Sequence, residues 1–398
     1  MKISKLAAIT FNSFLLSPIA SIPFMFFQLW KKNDTGISFL VSIIIGFFSL
    51  RYIPNFSNDK VRYIERNELF SNYSLMDLFS YFGVVNRPDY IFDIFNFIFS
   101  KASIDIKYFF FFITLLSVFL TLTAAKSIVK SIANPSFSYS NVTFIIIILS
   151  FSVINVLSGL RFFLAGSVFL WFLYFLYFKG MYLKAFFVLF IAIATHFSYS
   201  LILIVTIIAF FNKDFRFPKL LLILSLVFFI LPNTLITGFF SLISLPSGYI
   251  GKIDSYSSSD TVYTGSALIL SLIRNIWYYF AIALMLIYKP SKNDIFYIFI
   301  IFLMAVVNTT FSLPVVFNRY VTYIRIIFSI YLIYLYSRYR GRKTLTFIFI
   351  FLLLFGLSIY TDLFIILRYN VEDSYSIETM WSIYNIITKD GDLYNYLY

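Results

Sequence analysis

Apolar stretches recur along the whole chain, separated by short polar segments that carry most of the charge. Several reach the roughly 20 consecutive residues that a helix needs to cross a bilayer. The pattern predicts membrane helices near 7–30, 37–53, 106–126, 141–158, 161–178, 183–211, 219–240, 266–288, 295–313, 319–337 and 344–366. The expected fold is all-α: one polytopic transmembrane bundle over 1–398, of about 11 to 12 helices. A carboxylate in the last run does not argue against insertion. Residues 345–364 hold fourteen Leu, Ile or Phe, contributing about −4 to −8 kcal/mol against roughly +3 kcal/mol for Asp362. The first run is too long for a signal-peptide core and lacks a small-x-small cleavage site, so it reads as a retained helix.

Basic clusters orient the bundle, because Lys and Arg concentrate in cytoplasmic loops. These are Lys126 and Lys130, Lys179 and Lys184, Lys213 with Arg216 and Lys219, Lys289 and Lys292, and Arg338 to Lys343; Lys31 and Lys32 read the same way, which puts the short N-terminus outside. Segments 54–105, 241–265 and 314–318 and the tail 368–398 then face the other side. One stretch conflicts. Residues 183–211 carry cytoplasmic charge on both flanks, so either the local rule fails there or two half-helices meet around Thr195-His196. Broken helices are tolerated where they line a polar cavity.

The polar segment 54–105 ends in RPDYIFDIFNFIFSKAS. Asp89, Asp93, Asn96 and Ser100 share one helical face and Tyr, Ile and Phe the other, which predicts an amphipathic helix in the outer interface. The segment 241–265 is polar and Ser-rich. No dinucleotide, P-loop, H-E-x-x-H or Cys/His metal motif appears, so no cofactor and no metal are expected.

Composition agrees. Hydrophobic residues make up 61% and charged residues 12%, against about 25% charge in soluble domains. A soluble enzyme, a disordered chain and a nucleic-acid module are excluded. The net charge of +13 sets topology rather than binding nucleic acid. With no Cys there is no disulfide or thiolate chemistry.

Ionisable groups within a bundle are costly and mark function by default. Arg51 ends the second predicted helix, and Asp59, Arg62, Tyr63 and Glu65 follow it. Arg161 lies between two runs, Arg274 inside one, and Arg319 and Arg325 open another. His196 is the single histidine. Helix-end arginines often snorkel to headgroups, the expected behaviour of Arg325 and a rival reading of Arg51. Arg51, Arg161 and Arg319 map to the same outer end. Guanidiniums gathered there suit phosphate or pyrophosphate through paired N–H donors. An arginine cannot act as base; His196, Asp59 or Glu65 can.

The segments SLRYIPNFSNDKVRYIERNELF, INVLSGLRFFLAGSVFLWFLYF, AIATHFSYSLILI and FNRYVTYI resemble the EpsG/Wzy-type polysaccharide polymerase family. The ordered set is Arg51 with Asp59 and Tyr63, Arg161 with Ala165, His196 with Ser198, and Arg319 with Tyr320. Two positions differ from the family pattern: Ser57-Asn58 stands where Gly usually precedes the loop Asp, and Phe162 where Gln often follows the helix-opening Arg. The resemblance implies an integral-membrane glycosyltransferase of the GT-C type. It would join oligosaccharide units carried on undecaprenyl pyrophosphate at the periplasmic face of the bacterial inner membrane, building O-antigen or a related surface polysaccharide. Arg161 and Arg319 with Arg51 would hold pyrophosphate, and His196, then Asp59, would be the base. Arg62, Tyr63, Glu65, Arg274 and Tyr320 are the further candidate substrate contacts. Expected partners are the lipid-linked oligosaccharide, membrane lipid and a chain-length regulator, with no nucleic acid. A flippase for lipid-linked sugars, an O-antigen ligase and a purely structural membrane protein are the competing classes. Paired halves with matching broken segments, expected of a transporter, are not visible; a ligase would carry a larger late outer loop.

Overall fold

The computed structural model describes residues 5–30, 35–52, 59–85, 90–132, 140–211, 217–231, 266–288, 294–339 and 342–369. The predicted outer segment 241–265, residues 232–240, most of the tail, Asp89, and several basic-cluster residues, Lys213 and Lys289 among them, lie outside these. Among the described residues every regular element is helical, as the apolar periodicity requires. We number them α1 (Lys5–Leu16), α2 (Ile22–Trp30), α3 (Thr35–Arg51), α4 (Asp59–Ser71), α5 (Leu75–Val85), α6 (Ile91–Lys101), α7 (Ile106–Ile132), α8 (Ser140–Leu149), α9 (Val153–Ser158), α10 (Leu160–Leu173), α11 (Tyr182–Thr195), α12 (Tyr199–Phe211), α13 (Pro218–Ser225), α14 (Ser266–Ile287), α15 (Ile295–Asn308), α16 (Pro314–Tyr339) and α17 (Arg342–Tyr369).

Among the described residues, five helices are long and apolar enough to cross a membrane: Ile106–Ile132, Leu160–Lys179, Ile269–Ile287, Pro314–Tyr336 and Leu345–Ile365. The first includes all of α7, and the second runs through α10 into a π-helical turn, Tyr174–Lys179, that stops at Gly180. Gly180 has φ 62°, a left-handed conformation that glycine adopts without steric cost. Three of the predicted runs are interrupted. The run 7–30 splits around Pro18, whose ring nitrogen has no hydrogen to give to a helix. The run 141–158 breaks at Phe151-Ser152, where the Ser152 hydroxyl caps α9 by accepting from the Asn155 amide. The run 183–211 breaks at His196, whose φ −153° and ψ 113° are extended. Of the two readings of that charge conflict, the pair of half-helices is the observed one. At 14 and 13 residues, α11 and α12 are each about 20 Å long, short of the ~30 Å hydrocarbon core.

The helix α10 lies at the centre. Almost all of its residues are buried, and it packs against α7, α11, α12 and α16. Its closest approach is at Gly166. A Cβ there would collide with the Tyr199 hydroxyl of α12 and come within 2.9 Å of the Tyr323 ring of α16. Tyr199, Tyr323, Phe162 and Phe169 form an aromatic cluster at this crossing.

The helices α4, α5 and α6 form a unit attached to the start of α7. Sequence periodicity places the polar face of α6 toward water; the structure corrects this. Asp93 and Asn96 are buried, and that face is laid against α4. Arg66 pairs with Asp93 at 2.9 Å. Asn67 donates to the Asn96 side chain at 2.7 Å, Asn96 to the Tyr63 carbonyl, and Ser100 to the Asn67 carbonyl. The reason is α4: its own polar residues supply partners that water would otherwise supply, so the face can be buried at little cost. Phe92 and Phe99 of α6 pack on Phe109 of α7.

Gly166→Ala should therefore destabilise the protein by about 1–3 kcal/mol, as overpacking does. A thermal melt of the purified protein in detergent checks it; an unchanged midpoint would mean that the helices separate freely there.

Candidate active site

Two helix starts and a third from distant parts of the chain meet at one end of α10. Asp59 is the first residue of α4, Arg161 lies in the first turn of α10, and Arg319 lies in the second turn of α16. The Asp59 carboxylate accepts from Arg319 Nη2 at 2.8 Å and, through its other oxygen, from Arg62 one turn along α4. Tyr63 shows the crowding of charge. It is buried against Phe92, with ring centroids 4.5 Å apart. Burial first, and then the Asp59 charge, push its phenol up to about 12, while Arg161, Arg66 and Arg319 pull the other way. The phenol is thus neutral at physiological pH, with three guanidiniums and one carboxylate around it. Arg161 is 9% exposed, and its charge is felt at both Tyr63 and Arg66.

The break between α11 and α12 adjoins this place through the neighbours of the two arginines. Phe162, next to Arg161, meets the His196 ring edge-on at 5.4 Å. Tyr320, next to Arg319, donates to the Ser198 carbonyl at 3.0 Å and packs on Phe162. His196 itself is half-buried. Its Nδ1 lies 2.7 Å from the Ser198 hydroxyl and accepts from the Ser198 amide at 3.3 Å. An amide N–H can only donate, so Nδ1 is the acceptor in that contact.

Lys60 holds α4 in place. It is buried, and its ammonium donates to the Ser49 carbonyl at 3.1 Å and the Ser49 hydroxyl at 3.3 Å. It also lies over the rings of Tyr52 and Phe110. Ser49 is in the last turn of α3, where carbonyls lack helical partners and a cation is favoured. Asp59 is thereby fixed beside the end of α3. Arg51 ends that helix, but its side chain lies outside the described residues. Glu65 is exposed, away from the face of α4 that carries Asp59, Tyr63 and Arg66.

Arg274 and Arg325 are held in a second network. Arg274 Nε is 2.7 Å from Asp362, and its Nη2 donates to the Ser152 hydroxyl at 3.0 Å. That hydroxyl donates to Asp362 at 2.6 Å. Arg325 donates to the Ser150 carbonyl at 2.7 Å and to the Ser358 hydroxyl. Arg325 does not snorkel: it is 2% exposed. It lies well inside the 26-residue α16, and the break between α8 and α9 supplies one of its acceptors, α17 the other. Sequence reasoning missed Asp362, Ser152, Lys60 and Arg66 as members of these networks. A signal existed for Asp362, a carboxylate in an otherwise apolar run; for Lys60 nothing in the local pattern distinguished it from a solvated lysine.

A family model described as the EpsG family matches residues 34–372, a stretch that includes every residue of both networks. No curated protein and no solved structure matches the chain.

Burial lowers Lys60 to about 7, far below the unfolded value near 10.4. Between those values the unfolded state binds the extra proton, so stability rises with pH over that window. Thermal melts from pH 7 to 10 should show this rise in the wild type and a flatter profile in Lys60→Met; parallel profiles would remove Lys60 as the cause.

Proposed function

The chain belongs to the EpsG family, and on that premise we propose that it is an integral-membrane polysaccharide polymerase. The proposed donor is a growing glycan on undecaprenyl pyrophosphate, the acceptor a hydroxyl of the next lipid-linked unit, and the site the periplasmic face of the inner membrane. The observation that carries the reading is the meeting of Asp59 and Arg319, 260 residues apart in the chain, beside Arg161 and the His196 break.

In this mechanism Arg161 and Arg319 hold the pyrophosphate, with Arg62 at its edge. Guanidinium forks match phosphate oxygens in pairs, and the N-terminal turn of α10 adds its dipole. In the absence of substrate, Asp59 occupies Arg62 and Arg319 and stands where an anion would. An incoming pyrophosphate competes for those donors and releases the carboxylate. Freed of its cations, Asp59 becomes a stronger base. It takes the proton of the acceptor hydroxyl while that oxygen forms its bond to the anomeric carbon. The bond from that carbon to the pyrophosphate oxygen breaks, and the leaving electron pair stays on pyrophosphate, stabilised by the arginines. His196, steadied by Ser198 and Tyr320, donates from Nε2 to a substrate oxygen. Tyr63 walls the site as a neutral phenol. Arg274, which the sequence grouped with the substrate contacts, braces α14 against α17 in this scheme, and Glu65 has no role.

The decisive test is the surface-polysaccharide gel of a strain lacking the gene beside its complemented parent. A ladder that collapses to a single-repeat band supports polymerisation; complete loss of repeats points to flipping or an earlier step, and an unchanged ladder rejects the assignment. Within the mechanism, Asp59→Asn should lower turnover by about 10²–10⁴-fold while binding undecaprenyl pyrophosphate at least as tightly as the wild type. His196→Gln, which keeps a donor, should retain more activity than His196→Ala. Purified variants in a polymerisation assay and a binding titration check both; weaker binding by Asp59→Asn would make Asp59 a structural group.

A further inference from the structure

The short helix α5 is apolar on two sides, and only one is covered. On the inner side Leu78 is buried, and Tyr81 packs on Phe70 of α4 with centroids 5.5 Å apart. Phe70 in turn meets Phe97 of α6. The outer side carries Leu75, Met76 and Phe79, exposed to 64%, 75% and 67%. At 100° per residue these three and Gly83 fill one arc of about 100°, with no charged residue in it. A Cβ added at Gly83 would meet nothing within 4 Å. Val84, at 85% exposure, and Ser80 lie on one flank of the arc, and exposed Asp77 beyond them.

A stripe of that width is what a helix buries against an apolar phase. The neighbouring surface indicates which phase. Ile104, Tyr108 and Phe112 recur every fourth residue into the first turns of α7, and all three are exposed, as is Ile98 on α6. Because α7 is long and apolar enough to cross a membrane, that stripe is lipid-facing. The helix α5 shares an apolar cluster with α4 and α6 through Leu78, Phe70 and Phe97, and α6 in turn packs on the first turn of α7 through Phe92, Phe99 and Phe109. Tyr73, Tyr81, Phe82 and Tyr90 form a chain of ring contacts beside α5, the residue types that gather at a membrane interface. With 11 residues, α5 is about 16 Å long, too short to cross and suited to lie in the plane.

We propose that the Leu75–Met76–Phe79 face of α5 is seated in the lipid interface, so that the α4–α6 unit rests on the bilayer through α5. The α4 start, with Asp59, is thereby held at a fixed depth relative to the membrane. The proposal stands apart from the reaction assigned above, since it concerns only what covers α5.

A chain without native Cys allows a direct test. Single variants Phe79→Cys and Asp77→Cys, labelled with a nitroxide in the full-length protein, are reconstituted in phosphatidylethanolamine–phosphatidylglycerol nanodiscs. Collision with oxygen and with a water-soluble nickel chelate is then measured. The expected result is a label at position 79 that favours oxygen by several-fold over the label at position 77. Equal, high nickel access at both would overturn the proposal, leaving the face in water. Shielding of position 79 from both reagents would also overturn it, indicating a protein partner; dipolar broadening in that case would identify a second copy.

Discussion

A guanidinium inside a helical bundle must find acceptors from the protein itself, because hydrocarbon offers none and burying an unpaired charge costs several kcal/mol or more. Much of this chain is arranged around that demand. Arg325 and Arg274 sit on two helices with a single carboxylate, Asp362, between them. Of the remaining acceptors, Ser358 lies on α17 beside Asp362, and Ser150 and Ser152 lie where α8 and α9 break. A continuous helix would have used the Ser150 carbonyl within its own ladder. The break frees it, so the interruption in the apolar run and the buried arginine explain each other.

The same logic operates at the start of α10. Asp59 takes two arginines at once, and Lys60, its neighbour, turns the other way into the end of α3. Two consecutive residues thus tie α4 to two separate helices, α16 and α3. Arg66 and Asp93 then tie α4 to α6. A short polar helix is held by these directed bonds as well as by the packing of Tyr63, Ile64 and Phe70, where its membrane-embedded neighbours are held mainly by packing. This suits a site that must exchange one set of anionic partners for another, since an ion pair can be replaced by a better anion without moving the helices behind it.

Helix interruptions concentrate beside these networks. The Ser152 break adjoins the Arg274–Asp362 pair, and the His196 break adjoins Phe162 and Tyr320. Between them α10 is packed so closely that Gly166 has no room for a methyl group. Rigid packing in the middle and irregular backbone at polar positions is the division that lets a bundle hold a reactive site without exposing backbone groups to lipid.

Hydropathy by itself determined the class of fold, the approximate helices, and the candidates Arg161, Arg319, Asp59 and His196, because cost of transfer is a property of each residue and its near neighbours. Charge on both flanks of 183–211 even narrowed that stretch to two alternatives, one of which was the break at His196. Which groups pair was decided only by the tertiary structure. Nothing local links Asp59 to Arg319, distinguishes buried Arg325 from a snorkelling arginine, or turns the polar face of α6 toward α4. Periodicity says that a face is polar; it does not say whether water or another helix will satisfy it. That depends on which faces the fold brings together, and the desolvation that makes Lys60 or Asp362 consequential exists only once those faces have met.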